Sequence, residues 1–184
     1  MKKLVSVLIV FIALFLAIRE GAFAYSKASA SSAKLTPISS ELIPDNRALV
    51  LREYLERHNS PLAAYAGTFV SSADKYNLDW RLVASISGLE SGFGIHIPEN
   101  SYNGWGWGIY GNNVLYFKSW EDGIETISKG LRERYLFDRP DSDPYIIGPT
   151  YASSPTWAQR VSFFMESIEL FRMNQAKNSL VLSI

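Results

Sequence analysis

The sequence contains no cysteine and only two histidines, His58 and His96. The absence of cysteine excludes disulfides, thiol catalysis and every zinc or iron–sulfur site built on thiolates. The two histidines have no partner at metal-ligand spacing. Basic and acidic residues number 18 each, so the chain lacks the positive excess typical of a nucleic-acid-binding surface. We therefore expect no cofactor, no metal and no nucleic-acid partner.

Residues 1–24 have the pattern of a secretory signal peptide. Two lysines precede an apolar run over residues 4–18, which is shorter than the roughly 20 residues that a membrane span needs. An Ala-Phe-Ala cleavage pattern ends at Ala24. An uncleaved N-terminal anchor is the alternative, because Arg19 and Glu20 separate the apolar run from the cleavage pattern. Both alternatives predict a working domain outside the cytoplasm, either secreted, periplasmic or in the cell envelope, with no other membrane contact.

The remaining 160 or so residues allow one domain of ordinary size. Residues 25–40 are rich in serine, alanine and lysine and have no helical stripe. Such a segment cannot bury enough apolar surface to offset the entropy lost on ordering. We expect a flexible tether over residues 25–44, one domain over residues 45–176 and a tail over residues 177–184. We expect this domain to act as a monomer.

The domain is predicted to be mainly α, because apolar residues recur at the spacing of amphipathic helices from residue 45 onward. Each of about five segments begins with a capping residue, followed in two cases by proline at the first helical position. A connection rich in proline and aspartate, residues 139–149, precedes the last segment. The predicted helix starts are Asp45, Ser60, Asp79, Ser119 and Ser154.

One irregular or β-like excursion interrupts the helices, since six of the twelve glycines lie between Gly92 and Gly111. Residues 104–109 alternate strictly, so an extended backbone would place Trp105 and Trp107 on one face. Aromatic faces stack on sugar rings, and glycine allows a polymer close to the backbone. Ordinary packing of aromatic residues between turns is the alternative. We predict a carbohydrate groove, with candidate substrate contacts at Ser91, Tyr102, Asn103, Trp105, Trp107 and Tyr110.

Glu90 is the main candidate for chemistry. Its spacing from Val83 and Ile86 continues a buried stripe, and it lies in the last turn of its helix, where the macrodipole disfavours an anion. Both effects raise the pKa of a carboxyl group. A carboxylic acid that keeps its proton near neutral pH can protonate the leaving-group oxygen of a glycoside. The alternative is a glutamate at a helix end that turns out to solvent.

Four strings along the chain resemble the lysozyme-like superfamily, and more closely the glucosaminidase domain of glycoside hydrolase family 73. Residues 89–94 are Leu-Glu-Ser-Gly-Phe-Gly, similar to that family's catalytic string at a helix end. Residues 107–111 resemble its aromatic-Gly-Ile-x-Gly string, and residues 119–135 resemble its following helix. Residues 151–158 resemble its Tyr-Ala-x-x-Pro-x-aromatic-Ala string. The strings occur in the family's order.

The resemblance implies a lysozyme-like domain that cleaves β-1,4 bonds between N-acetylated sugars in peptidoglycan, outside the cytoplasm. It implies Glu90 as the general acid and Tyr151 as an assisting residue that faces the cleft. The chain departs from the family in its doubled Trp-Gly pattern at residues 104–108. The interval between Glu90 and Gly108 is also short for the family's second lobe, which leaves the second catalytic group open.

A glycosidase normally uses two groups, an acid and a base or nucleophile. Glu99 is the best second carboxylate in the sequence, because it lies in the excursion that would form the opposite wall. Without a second carboxylate, the acetamido group of the substrate or lytic transglycosylation by a single acid becomes the better mechanism. A domain that binds glycan without cleaving it is the rival from another class.

Overall fold

In the computed structural model, residues 45–109 and 113–181 are described, and they are mainly helical. A 3₁₀ turn at Pro61–Tyr65 leads into the second α-helix, and π-helical turns at Leu131–Leu136 continue the fourth. Within the described ranges there is no strand. The described residues form six α-helices: α1 (Arg47–Arg57), α2 (Ala66–Lys75), α3 (Leu82–Ser91), α4 (Trp120–Gly130), α5 (Pro144–Tyr151) and α6 (Trp157–Val181).

Two of the five predicted capping residues, Ser60 and Ser119, cap their helices as predicted. At the other three predicted starts, the helix begins two or three residues after the predicted capping residue. The Oγ of Ser60 accepts a hydrogen bond from the backbone N–H of Leu62 at 3.0 Å, and Pro61 takes the first helical position. The Oγ of Ser119 accepts from the N–H of Asp122 at 3.3 Å. These bonds satisfy N–H groups that have no partner inside the first turn of a helix.

The sequence prediction missed α5, because residues 139–149 were expected to form only a connection. The Oδ1 of Asp143 accepts from the N–H of Tyr145 at 2.8 Å, and Pro144 occupies the first turn. This is the same start signal as at Ser60, but it opens a helix of only eight residues. The last helix, α6, continues past residue 176 to Val181.

The helices enclose one apolar core. α3 packs against α6, α2 packs against α1 and α4, and α5 packs against α6. These contacts place the C-terminal end of α3 beside the first turns of α6. The predicted apolar stripes are buried, as the low exposure of these side chains shows: Val50, Leu51, Leu55, Phe69, Val83, Ile86, Ile124, Ile127, Val161 and Ile168.

The excursion between α3 and α4 is irregular, as predicted, but its tryptophan-glycine stretch is not extended. Gly106 and Gly108 both have φ of 64°, a left-handed conformation that turns the chain at each of them. Trp105 is therefore completely buried, and its indole N–H donates to the carbonyl oxygen of Val83 at 2.9 Å. The prediction that Trp105 stacks on a sugar is wrong, because its ring has no exposed face.

Two of the predicted segments lie outside the described part of the chain. The signal or anchor at residues 1–24 and the tether at residues 25–44 both lie there. Among the described residues, no helix has the combination of length and apolar character that crossing a membrane requires.

Trp105 is expected to be a stability residue. Trp105→Ala should lower the free energy of unfolding by about 3–5 kcal/mol, because it empties a site within the core. As a control, Tyr116→Ala removes an exposed ring without a described contact, and it should change stability by less than about 0.5 kcal/mol. Urea unfolding followed by circular dichroism measures both. Equal, small effects of the two substitutions would contradict the buried position of Trp105.

Candidate functional site

Glu90 lies in the last turn of α3, and Gly92 ends this helix with φ of 59° and ψ of 47°. Because an L side chain rarely adopts this conformation, glycine lets the chain reverse immediately after the helix. The side chain of Glu90 is exposed. The prediction that Glu90 continues the buried stripe is therefore wrong. Its carboxyl group is accessible to a substrate.

Two groups lie against the carboxyl group of Glu90. The indole N–H of Trp157, a buried residue of α6, donates to Oε1 at 2.7 Å. The backbone of Gly106 lies beside the other oxygen, where a Cβ would make an ordinary van der Waals contact of 3.6 Å with Oε2. One carboxyl oxygen is thus held by a donor, and the other faces bare backbone.

The surroundings raise the pKa of Glu90, as the sequence predicted. Partial removal of the carboxylate from water is the largest cause, because it disfavours the charged form. The hydrogen bond from Trp157 and the positive charge of Arg160 act in the opposite direction and favour the carboxylate. The net effect keeps the proton on Glu90 to a higher pH than in an ordinary glutamate, although the side chain is open to solvent.

Tyr151 lies beside this acid. Its ring stacks on that of Trp157, with centroids 4.7 Å apart and an interplanar angle of 28°. Its hydroxyl donates to the carbonyl oxygen of Trp105 at 2.8 Å. Burial raises the pKa of Tyr151 well above its usual value, and the nearby charge of Glu90 adds to this. Tyr151 is therefore a neutral hydrogen-bond donor that joins α5 to the excursion.

Trp107 extends the aromatic surface. Its ring centroid lies 5.9 Å from that of Tyr151 and 5.8 Å from that of Tyr135. Its indole rests on Gly130, where a Cβ would come within 2.6 Å of the ring. Trp107 is half-buried, so part of its ring remains open. We call Trp157, Tyr151, Tyr135 and Trp107 the aromatic wall.

Two other predicted substrate contacts are buried structural residues. Ser91 is 4% exposed, and its Oγ donates to the carbonyl oxygen of Gly104 at 2.7 Å and accepts from the N–H of Gly94. Asn103 is 2% exposed, and its amide donates to the carbonyl oxygen of Trp107 at 2.8 Å. Both side chains are used to hold the excursion, so the prediction that they contact substrate is wrong.

Three further predicted residues have different outcomes. Tyr102 is partly exposed and packs edge-on against Trp120, with centroids 5.6 Å apart. Glu99 is exposed in a turn and forms no hydrogen bond or ion pair with a described residue. Tyr110 lies outside the described residues. The structure therefore brings Tyr151 and Trp107 together around Glu90, while Tyr102 has no described contact with the aromatic wall.

No carboxylate is among the described groups that shift the pKa of Glu90, which are Trp157 and Arg160. A second carboxylate within about 4–6 Å would raise this pKa appreciably. Glu99 is thus not held against Glu90 in this structure. The described residues also contain no cluster of three or more histidine, aspartate or glutamate side chains that could hold a metal ion.

Sequence reasoning missed the direct partners of Glu90. The spacing of Trp157 from Val161 predicts a core position on α6, and its ring is indeed buried, but its N–H faces Glu90. Arg160 follows one helical turn later, on the same side as Trp157. The spacing of three residues between an aromatic donor and a cation was visible in the sequence. Only the packing of α6 against α3 reveals what they face.

The hydrogen bond from Trp157 gives a prediction about the acid. Trp157→Phe keeps an aromatic ring but removes the donor, so the pKa of Glu90 should rise further. Arg160→Gln removes a favourable charge and should act in the same direction. NMR titration of the Glu90 carboxyl carbon measures both effects. An unchanged or lower pKa in Trp157→Phe would contradict the hydrogen bond.

The raised pKa also has a consequence for stability. Below the ordinary pKa of glutamate, 4.5, Glu90 is protonated in the folded and unfolded chains and its ionisation contributes nothing. As the pH rises through the folded-state pKa, the unfolded chain ionises more readily, so the free energy of unfolding falls. Glutamine does not ionise, so Glu90→Gln does not undergo this fall in the free energy of unfolding. The free energy of unfolding of the variant, relative to that of wild type, should therefore be higher at about pH 7 than at about pH 4. Urea unfolding at both pH values measures this difference, and a trend of opposite sign would contradict it.

Comparison with known proteins leaves the family unassigned. No protein-family model matches this chain, and no curated protein matches its sequence significantly.

Proposed function

We propose that this protein is an exported peptidoglycan hydrolase that cleaves β-1,4 bonds between N-acetylated sugars, with Glu90 as the general acid. The observation that carries the proposal is the accessible carboxyl group of Glu90, whose pKa is raised and which lies between Trp157 and the bare backbone of Gly106. The resemblance to the glucosaminidase strings supports the substrate class. The export proposal rests on residues 1–24.

The two carboxyl oxygens of Glu90 have different roles in this mechanism. Oε1 accepts the N–H of Trp157, which leaves Oε2 as the oxygen that carries the proton. Oε2 faces Gly106, where the absence of a side chain allows a glycan strand to approach. Oε2 donates its proton to the glycosidic oxygen as the bond to the leaving sugar breaks.

The same surroundings stabilise the carboxylate that forms. The hydrogen bond from Trp157 and the charge of Arg160 both favour the anion, so the developing negative charge on Glu90 is compensated in place. Tyr151 keeps Trp157 in position by stacking on it. The exposed parts of Trp107 and Tyr151 offer apolar surface to the faces of sugar rings.

The lack of a second carboxylate beside Glu90 among the described residues favours an alternative reaction on the same class of substrate. No carboxylate shifts the pKa of Glu90 in the described residues, and a mechanism with one acid needs no such partner. The second candidate is therefore lytic transglycosylation. In this reaction a hydroxyl oxygen of the sugar attacks its own anomeric carbon as the glycosidic bond breaks, and the hydroxyl proton passes to the Glu90 carboxylate. Assistance by the acetamido group of the substrate is the corresponding route to hydrolysis.

Glu90→Gln tests the proposal. The variant keeps the size of the side chain but cannot donate the proton, so release of soluble fragments from peptidoglycan should fall by about 100-fold or more. Glu121→Gln is the matched control, because Glu121 is an exposed carboxylate in the first turn of α4, and it should retain full activity. Circular dichroism verifies that both variants fold.

The outcomes separate the candidates. Fragments with reducing ends support hydrolysis, and fragments with anhydro ends support transglycosylation. Glu99→Gln tests the remaining predicted carboxylate, and a loss as large as that of Glu90→Gln would make Glu99 the second group. If wild-type protein binds insoluble peptidoglycan but releases no fragments at any pH, the proposed enzymatic function is wrong. This result would favour a glycan-binding domain.

A further inference from the structure

A cleft of about 560 Å³ opens beside Trp107. Its volume lies within the range of about 300–1,000 Å³ that is usual for ligand-binding sites. Side chains from α2, α4 and the π-helical turns contribute to it. We call it the charged cleft, after the residues that line it together with Trp107: Lys75, Glu125, Lys129, Glu133 and Arg134.

The charges of the cleft are not all compensated within the protein. Lys75 forms an ion pair with Glu125, which also accepts the hydroxyl of Tyr76 at 2.6 Å. Lys129 and Glu133 are 3.9 Å apart and both exposed, so their attraction is weak.

Arg134 forms no ion pair with a described residue, and its guanidinium lies 6.0 Å from the ring centroid of Trp107. Three cations and two carboxylates therefore leave one positive charge without a partner.

Arg134 has the chemistry of an anion-binding residue. A guanidinium group binds a carboxylate through two parallel hydrogen bonds, and an aromatic face beside it supports the same geometry. Arg134 also lies in the π-helical turns Leu131–Leu136. Such turns are rare and frequently occur at functional sites.

The cleft lies close to the acid. Gly106 faces Oε2 of Glu90, and Trp107 is the next residue along the chain. The ring of Trp107 contacts Tyr151 on the aromatic wall and also lines the charged cleft. A glycan strand that crosses Gly106 would therefore have its substituents within reach of the cleft.

We propose that the charged cleft binds the peptide side chains of peptidoglycan, with Arg134 binding a peptide carboxylate beside Trp107. This inference rests on the proposed function, since it specifies the substrate as glycan that carries peptides. The peptide stems bear both carboxylates and amino groups, which match the mixed charges of the cleft. Chitin offers neither charge, and peptide-free peptidoglycan offers only the carboxylate of its lactyl group.

Binding experiments in the Glu90→Gln background test this proposal without turnover. The ligands are a peptidoglycan tetrasaccharide that bears tetrapeptides, the same tetrasaccharide without peptides, and the chitin tetrasaccharide. We expect the peptide-bearing ligand to bind about tenfold more tightly than either of the others, equivalent to about 1.4 kcal/mol. Adding Arg134→Gln should abolish this advantage.

Arg52→Gln is the matched control, because Arg52 is exposed on α1 and outside the cleft. It should preserve the preference for peptides. Equal affinity for the two peptidoglycan ligands would overturn the proposal, and so would a preference that survives Arg134→Gln. If both peptidoglycan ligands bind equally tightly, and both bind more tightly than the chitin tetrasaccharide, the cleft binds the lactyl carboxylate. This result would also overturn the proposal.

These experiments distinguish an error in the cleft proposal from an error in the proposed enzymatic function. If wild-type protein releases fragments but the Glu90→Gln protein binds the two peptidoglycan ligands equally, the cleft proposal is wrong and the proposed function stands. If the peptide preference is present and depends on Arg134 but no fragments are released, the cleft proposal holds and the enzymatic function is wrong.

Discussion

The burial of Trp105 connects the core of this protein to its candidate site. Its indole N–H is bonded to the carbonyl of Val83 in α3, and its own carbonyl accepts the hydroxyl of Tyr151 at the end of α5. These two bonds fix the residue in the middle of an otherwise irregular segment. Gly106 and Trp107 follow directly, so one is held beside Glu90 and the other against Gly130. An excursion without regular secondary structure thereby obtains a defined geometry from Trp105, together with the buried side chains of Ser91 and Asn103.

The environment of Glu90 combines two demands that normally oppose each other. An acid that must meet a polymer has to be accessible, whereas a raised pKa requires partial removal from water. The structure satisfies both by exposing the side chain while placing its carboxyl group against Trp157 and Gly106. The donor and the cation on α6 moderate the effect, so that the anion formed on proton transfer is also stabilised.

Most of the helices could be predicted from the sequence, because capping residues such as Ser60 and Ser119 and the apolar period are local signals. The short helix α5 was missed, since eight residues with an internal proline carry little periodicity. The site was predicted only in part. The direction of the pKa shift of Glu90 agrees with the prediction, which rested on a buried stripe and on the helix end. Its largest cause in the structure is partial removal from water of a side chain that lies off the stripe. The roles of Trp105 and Trp157 were not predicted, because strict alternation was taken for an extended chain and left-handed glycines changed which rings face outward.

We propose that Glu90 donates the proton that breaks the glycosidic bond. The most direct test is the pH dependence of kcat/KM for fragment release, measured beside an NMR titration of Glu90 in the free protein. We expect the pKa of Glu90 to exceed 4.5 and kcat/KM to fall on the alkaline side at that same pKa. A Glu90 pKa at or below 4.5, or an alkaline limb that lies at a different pH, would contradict this proposal.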